Sequence, residues 1–120
     1  MTIQDTLLRI FPQPTATVNG RGGSEVNGLP RNTVPQNCDI VLSGLHTSRI
    51  TNRQEHYLVR IDNQLIFLRV CSAYPDSGYD EYAVIRDVAD TPEKQAELLD
   101  YARRSIKAIC GQVHEGGVAA

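Results

Sequence analysis

The residues of this chain best suited to chemistry are arginines, tyrosines and glycines in its polar stretches, and that chemistry is the holding of phosphate groups and flat rings. Gly20-Arg21-Gly22-Gly23 can present backbone N–H groups to an anion while Arg21 neutralises it. No Gly-Lys-Ser/Thr follows, so this is not a Walker loop, and a plain surface turn is the competing reading. Arg49 and Arg53 stand among Thr47, Ser48, Thr51 and Asn52. Hydroxyls and planar guanidinium forks in one turn could converge on a phosphate, or the segment could be a solvated loop with ordinary ion pairs. Tyr74, Tyr79 and Tyr82 surround a Pro/Gly segment, where a ring can stack on a base or seal the edge of a core. Arg86 follows them, and Arg103 and Arg104 lie near the C-terminal end. At about 100° per residue on a helix, Arg104 points away from the apolar side and suits an i,i+4 pair with Asp100. Arg103 lies on the flank, better placed to reach a cleft between the helix and a neighbour.

Catalytic machinery is not expected. His46, His56 and His114 lack metal-ligand spacing, and the acidic run of Asp76, Asp80, Glu81, Asp87 and Asp90 is not in EF-hand order. No Gly-x-Ser-x-Gly elbow is present. The three cysteines, Cys38, Cys71 and Cys110, are odd in number and far apart. They suit buried small hydrophobic residues in a reducing compartment better than a disulfide framework or zinc site. The expectation is a binding protein with no catalytic residue, no metal and no cofactor.

Composition narrows the partners. Twelve basic residues against 14 acidic ones give a net charge of -2, which argues against long nucleic acid because phosphate neutralisation needs a clustered basic excess. No apolar run reaches the about 20 residues of a membrane-spanning helix, and the N-terminal residues lack a basic-then-apolar leader pattern. Hydrophobic residues make up 41% of 120, enough for one core. One domain is expected over 1–114, with 115–120 as a frayed Gly/Ala tail.

Several elements must position these residues. A short helix is expected over Thr2–Ile10, with Leu7, Leu8 and Ile10 inward and Pro12 and Pro14 beyond its end. Thr15–Val18 is β-prone. Asn19–Asn37 reads as turns with little regular structure. Cys38–Leu42 is an apolar strand ending at Ser43-Gly44, and Leu45–Asn52 is ambiguous. Tyr74–Asp80 reads as a loop and Glu81–Val88 as a strand. Thr91 and Pro92 then open a helix that Gly111 ends, with Leu98, Leu99, Ala102, Ile106 and Ile109 as its apolar stripe.

The hairpin between them has a definite register. With Asp62-Asn63 as a two-residue turn, Ile61 faces Gln64, Val59 faces Ile66 and Tyr57 faces Leu68. On the other face Arg60 meets Leu65, Leu58 meets Phe67 and His56 meets Arg69. Both faces carry apolar residues, so the second should be covered by another sheet or another subunit. The fold class is therefore α+β, a small antiparallel sheet with a C-terminal helix packed on it, as a homo-oligomer.

Five segments in order carry a family resemblance: Asn37-Cys38-Asp39-Ile40-Val41-Leu42, Leu45-His46-Thr47-Ser48-Arg49, Tyr57-Leu58-Val59-Arg60-Ile61, Tyr79 through Arg86, and a last helix with Arg103-Arg104. In length and element order, across most of its span, the chain resembles the first type of Thoeris anti-defence protein. That resemblance implies a phage or prophage protein acting in the host bacterial cytoplasm. It implies a sponge that sequesters cyclic ADP-ribose isomers or cyclic oligonucleotides without turnover, assembled as homo-oligomers that include hexamers. On that reading the ligand-binding candidates are Arg21, Arg49, Thr51, Asn52, Arg53, Tyr79, Tyr82, Arg86, Arg103 and Arg104, chosen for their chemistry. The alternative is a protein–protein inhibitor or adaptor that masks a host factor with the apolar second face of the hairpin.

Overall fold

The computed structural model describes residues 3–11, 16–19, 25–30, 34–47, 53–72 and 79–116. In chain order the elements are α1 (Ile3–Ile10), β1 (Ala16–Asn19), β2 (Glu25–Pro30), β3 (Asp39–Thr47), β4 (Arg53–Ile61), β5 (Gln64–Ser72), β6 (Tyr79–Val84), α2 (Pro92–Cys110) and β7 (His114–Glu115). The strands lie in the order β1-β2-β6-β5-β4-β3-β7, paired antiparallel throughout. The fold is α+β, with the C-terminal helix packed on an antiparallel sheet.

The β4–β5 hairpin sets the frame. Its register matches the expectation from sequence, from Ile61 opposite Gln64 to His56 opposite Arg69. Asp62 and Asn63 both adopt positive φ, 51° and 62°. That backbone twist suits a two-residue turn between strands, and Asp and Asn tolerate it better than bulkier residues. The turn is tied from both sides. Arg9 of α1 pairs with the Asp62 carboxylate, and the Gln95 side-chain amide of α2 donates to the Asn63 carbonyl at 2.7 Å.

Each face of the hairpin has its own cover. Tyr57, Val59, Ile61, Ile66, Leu68 and Val70 pack with Leu7, Ile10 and Phe11 at α1. Leu42, Leu58, Leu65 and Phe67 pack with Leu98, Ala102 and Ile106 of α2. Leu58 and Phe67 are 0% exposed within the single chain. The expected second sheet or subunit is thus replaced by α2 itself. The sequence showed the apolar stripe of this helix but not which face of the hairpin it meets. With both faces of the hairpin covered within one chain, neither calls for a second subunit to bury it.

Several boundaries differ from expectation for identifiable reasons. β3 does not end at Ser43-Gly44; it runs to Thr47. Gly44 is a close-approach residue, since a Cβ there would collide with Cγ2 of Ile106 and lie 3.1 Å from the Cys110 sulfur. Val41 is the extra residue where the β3–β4 register shifts between Ile40 and Leu42. The bulge changes the phase of the strand, so Ile40 packs with the α1 cluster and Leu42 with the α2 cluster. Within 19–37, expected to lack regular structure, β2 forms by pairing with β1 over Glu25–Gly28 and with β6 at Leu29 and Pro30. Tertiary pairing overrides weak strand propensity there.

In α2, Thr91 accepts from the Lys94 amide at 3.2 Å, and Gly111 closes the helix at φ 80°. Its buried stripe is Leu98, Ala102 and Ile106, whereas Ile109 stays 44% exposed and Leu99 is half-buried. On α1, Leu8 likewise faces outward, at 43% exposed. Glu115 does not begin a frayed tail: β7 pairs with Leu42 and Ser43 of β3. The Gly116 amide donates to the Val41 carbonyl at 2.8 Å.

Candidate functional site

A cleft forms where β6 leaves the sheet. The strand expected over Glu81–Val88 ends at Val84. Ile85 still donates to the Phe67 carbonyl at 2.9 Å, and backbone pairing with β5 resumes only at Ala89, which exchanges two hydrogen bonds with Leu65. Between them Arg86, Asp87 and Val88 loop away from the sheet. They leave a cleft of about 360 Å³ against the first turns of α2, lined also by Ala89, Lys94, Glu97, Leu98 and Tyr101.

Its chemistry is mixed. Leu98 and Ala89 form a buried apolar floor. The Arg86 guanidinium lies over the Tyr101 ring, 4.0 Å from its centroid, a cation–π arrangement that orients the fork before any ligand arrives. Tyr101 is held in turn edge-on to Phe67, with centroids 5.9 Å apart. Lys94 adds a second cation, near Asp90 at 3.7 Å. Asp87 and Glu97 place carboxylates in the lining, so the cleft offers both phosphate-binding and hydroxyl- or amine-binding groups.

Of the other sequence candidates, Arg103, Arg104 and Tyr82 do not line this cleft. Arg104 pairs with Asp100 at 2.9 Å, the expected i,i+4 contact. Arg103 reaches Glu115 of β7, so its flank position serves an intramolecular ion pair. Tyr82 lies on the opposite layer, its ring stacked on Phe11 with centroids 4.5 Å apart, where it seals the α1 core. Arg53 opens β4 opposite Thr47, and Tyr79 is not in a loop but opens β6 opposite Pro30. Arg21, Arg49, Thr51 and Asn52 lie outside the described residues. Tyr101 and Lys94 were missed from sequence because both sit in a helix that reads as amphipathic. The only signal was an aromatic residue at the edge of the apolar stripe.

A second polar cluster lies on the α2 side of the sheet, away from the turn. His56 of β4 is only 2% exposed, and neither of its ring nitrogens has a hydrogen-bond partner. Its cross-strand neighbour is Arg69, whose Nε is also buried and unpartnered. Burial, then Arg69, then His46 hold the His56 pKa below the ordinary histidine range. Among the described side chains, the titratable groups on its side of the sheet are Arg69 and Cys71 of β5, His46 of β3, and Cys110 of α2, which packs beside Gly44.

Because folding keeps this imidazole neutral, the unfolded chain takes up its proton first. The contribution of His56 is complete above about pH 6.5 and is lost as pH falls through its lowered folded value. Denaturant titrations should therefore show stability falling on acidification from about pH 6.5. The slope should be shallower in His56→Gln; an equal slope in both proteins would remove His56 as the cause.

Burial raises the Cys38 and Cys110 thiols above their ordinary range, with Asp39 adding to the effect at Cys38, which disfavours thiolate. Among the described residues no group of three His, Cys, Asp or Glu side chains could hold a metal ion. No described helix is long and apolar enough to cross a membrane. Comparison with known proteins returned no matching family model, curated protein or solved structure.

Proposed function

We propose that this chain is a ligand-binding domain that captures a small nucleotide signal in the Arg86–Tyr101 cleft and holds it without turnover. The observation that carries the reading is the guanidinium of Arg86 stacked on Tyr101 at the mouth of a cleft of about 360 Å³. Small-molecule sites span about 300–1,000 Å³, so the space suits one nucleotide unit. Arg86 and Lys94 would meet phosphate oxygens. The outer plane of the guanidinium offers a surface on which a base can stack, and Asp87 and Glu97 can accept from ribose hydroxyls or an exocyclic amine.

The resemblance noted from sequence makes cyclic ADP-ribose isomers and cyclic oligonucleotides the first compounds to test. Calorimetric titration should detect binding to one of them, with the ligand recovered intact after heat denaturation. Arg86→Met should weaken binding roughly tenfold or more, the loss expected for a charge-assisted hydrogen bond with its stacking surface. Binding that survives Arg86→Met unchanged, or ligand recovered in pieces, would sink the reading. The protein-masking alternative drew on the second face of the hairpin. With Leu58 and Phe67 enclosed beneath α2, that argument no longer supports it.

A further inference from the structure

The cluster around His56 is independent of the cleft and poses a different chemical question. Two ring nitrogens and a guanidinium Nε are buried without partners, at a place where the strand register sets His56 directly opposite Arg69. Leaving such groups unsatisfied is costly, and native folds fill these positions with a partner. Glu55, the adjacent carboxylate on β4, does not supply one, because it accepts from the Tyr57 hydroxyl on the opposite face of the sheet. Among the described side chains, the charges acting on the ring are those of Arg69 and His46, and both disfavour its protonation. A cation would be repelled by Arg69. The missing partner is therefore an acceptor, and an anionic one.

We propose that His56, Arg69 and His46 form a binding site for a small oxyanion, either inorganic phosphate or the phosphoryl group of a larger ligand. Arg69 supplies the fixed positive charge and a buried Nε–H donor. His56 supplies a ring N–H from the neighbouring strand, and His46 stands two cross-strand pairs nearer the sheet end, at the pair His46–Gln54. Burial keeps the imidazole neutral, helped by Arg69 and His46; an anion seated here opposes all three, so the ring takes a proton from solvent as the anion enters. Gly44 contributes by omission: opposite His56 in the register, it lets Ile106 and Cys110 close over the sheet. That leaves the cluster a dry setting in which a charged hydrogen bond is strong.

Histidine ring nitrogen resonances in the full chain, labelled with nitrogen-15, report the site directly. Added inorganic phosphate should shift the His56 signals saturably and raise the pKa of that ring. The affinity should fall roughly tenfold in Arg69→Gln and stay unchanged in Arg86→Met, which separates this site from the cleft. If only a nucleoside monophosphate moves the ring, the bound group is a phosphoryl of a larger ligand and the site stands. The proposal is overturned if neither compound shifts His56, since the cluster then holds water alone, or if Arg69→Gln binds as well as the parent. Should Arg69→Gln fail to fold, His46→Gln decides: it should weaken binding severalfold, and an unchanged affinity overturns the proposal.

Discussion

Phe67→Ala should cost about 3–5 kcal/mol of folding stability, the range for truncating a fully buried aromatic residue. Phe67 is 0% exposed and stands at the centre of the α2 layer, with Leu42, Leu58, Leu65, Leu98, Ala102 and Ile106 in the same cluster. A domain of this size commonly has about 5–15 kcal/mol in hand, so the variant would sit near the edge of folding. Urea titration at several protein concentrations checks the expectation. A loss below about 1 kcal/mol would mean that the second face of the hairpin is not buried by its own helix. The milder Phe67→Leu should keep the fold while loosening Tyr101, whose ring rests edge-on against Phe67 at 78°. Ligand capture in the cleft should then weaken more than stability does.

Gly44→Ala should be the second large effect, destabilising by about 1–3 kcal/mol through overpacking. The added methyl would run into Ile106 and crowd Cys110, and both belong to a helix pinned at its two ends by Thr91 and Gly111. Relief can come only by moving the helix or a neighbouring side chain. Shortening the obstacle should therefore rescue the defect. In a double-mutant cycle Gly44→Ala with Ile106→Val should cost less than the sum of the two single changes. Strict additivity would show that the helix does not pass over the strand at that point.

What could be read from the sequence was local. Asp62-Asn63 fixed the hairpin and every pair along it, because the turn and the period-two alternation are both short-range signals. Thr91, Pro92 and Gly111 bounded α2 for the same reason. What could not be read was long-range. The bulge at Val41 is invisible in composition, yet it decides that Ile40 and Leu42 face opposite layers. Gly44 reads as a turn residue, and only the passage of Ile106 overhead explains why glycine is needed inside a strand. The candidate site shows the same division. Arg86 was chosen because arginine binds phosphate, but its stacking on Tyr101 depends on Arg86–Val88 leaving the sheet. Tyr82 was chosen because tyrosines stack, and its partner is Phe11. His56 and Arg69 were paired correctly, but their burial follows from the packing of α2 and could not be seen in the strand pattern.

The Asp62–Asn63 turn links parts of the chain that are remote in sequence. One helix near the N-terminus and another near the C-terminus both fasten to these two residues, through Arg9 and Gln95. The turn thus works as a clasp, and the two layers that it joins are coupled even though the sheet lies between them. Cutting the backbone at this point would release both helices together, so a split version of the protein should be divided elsewhere.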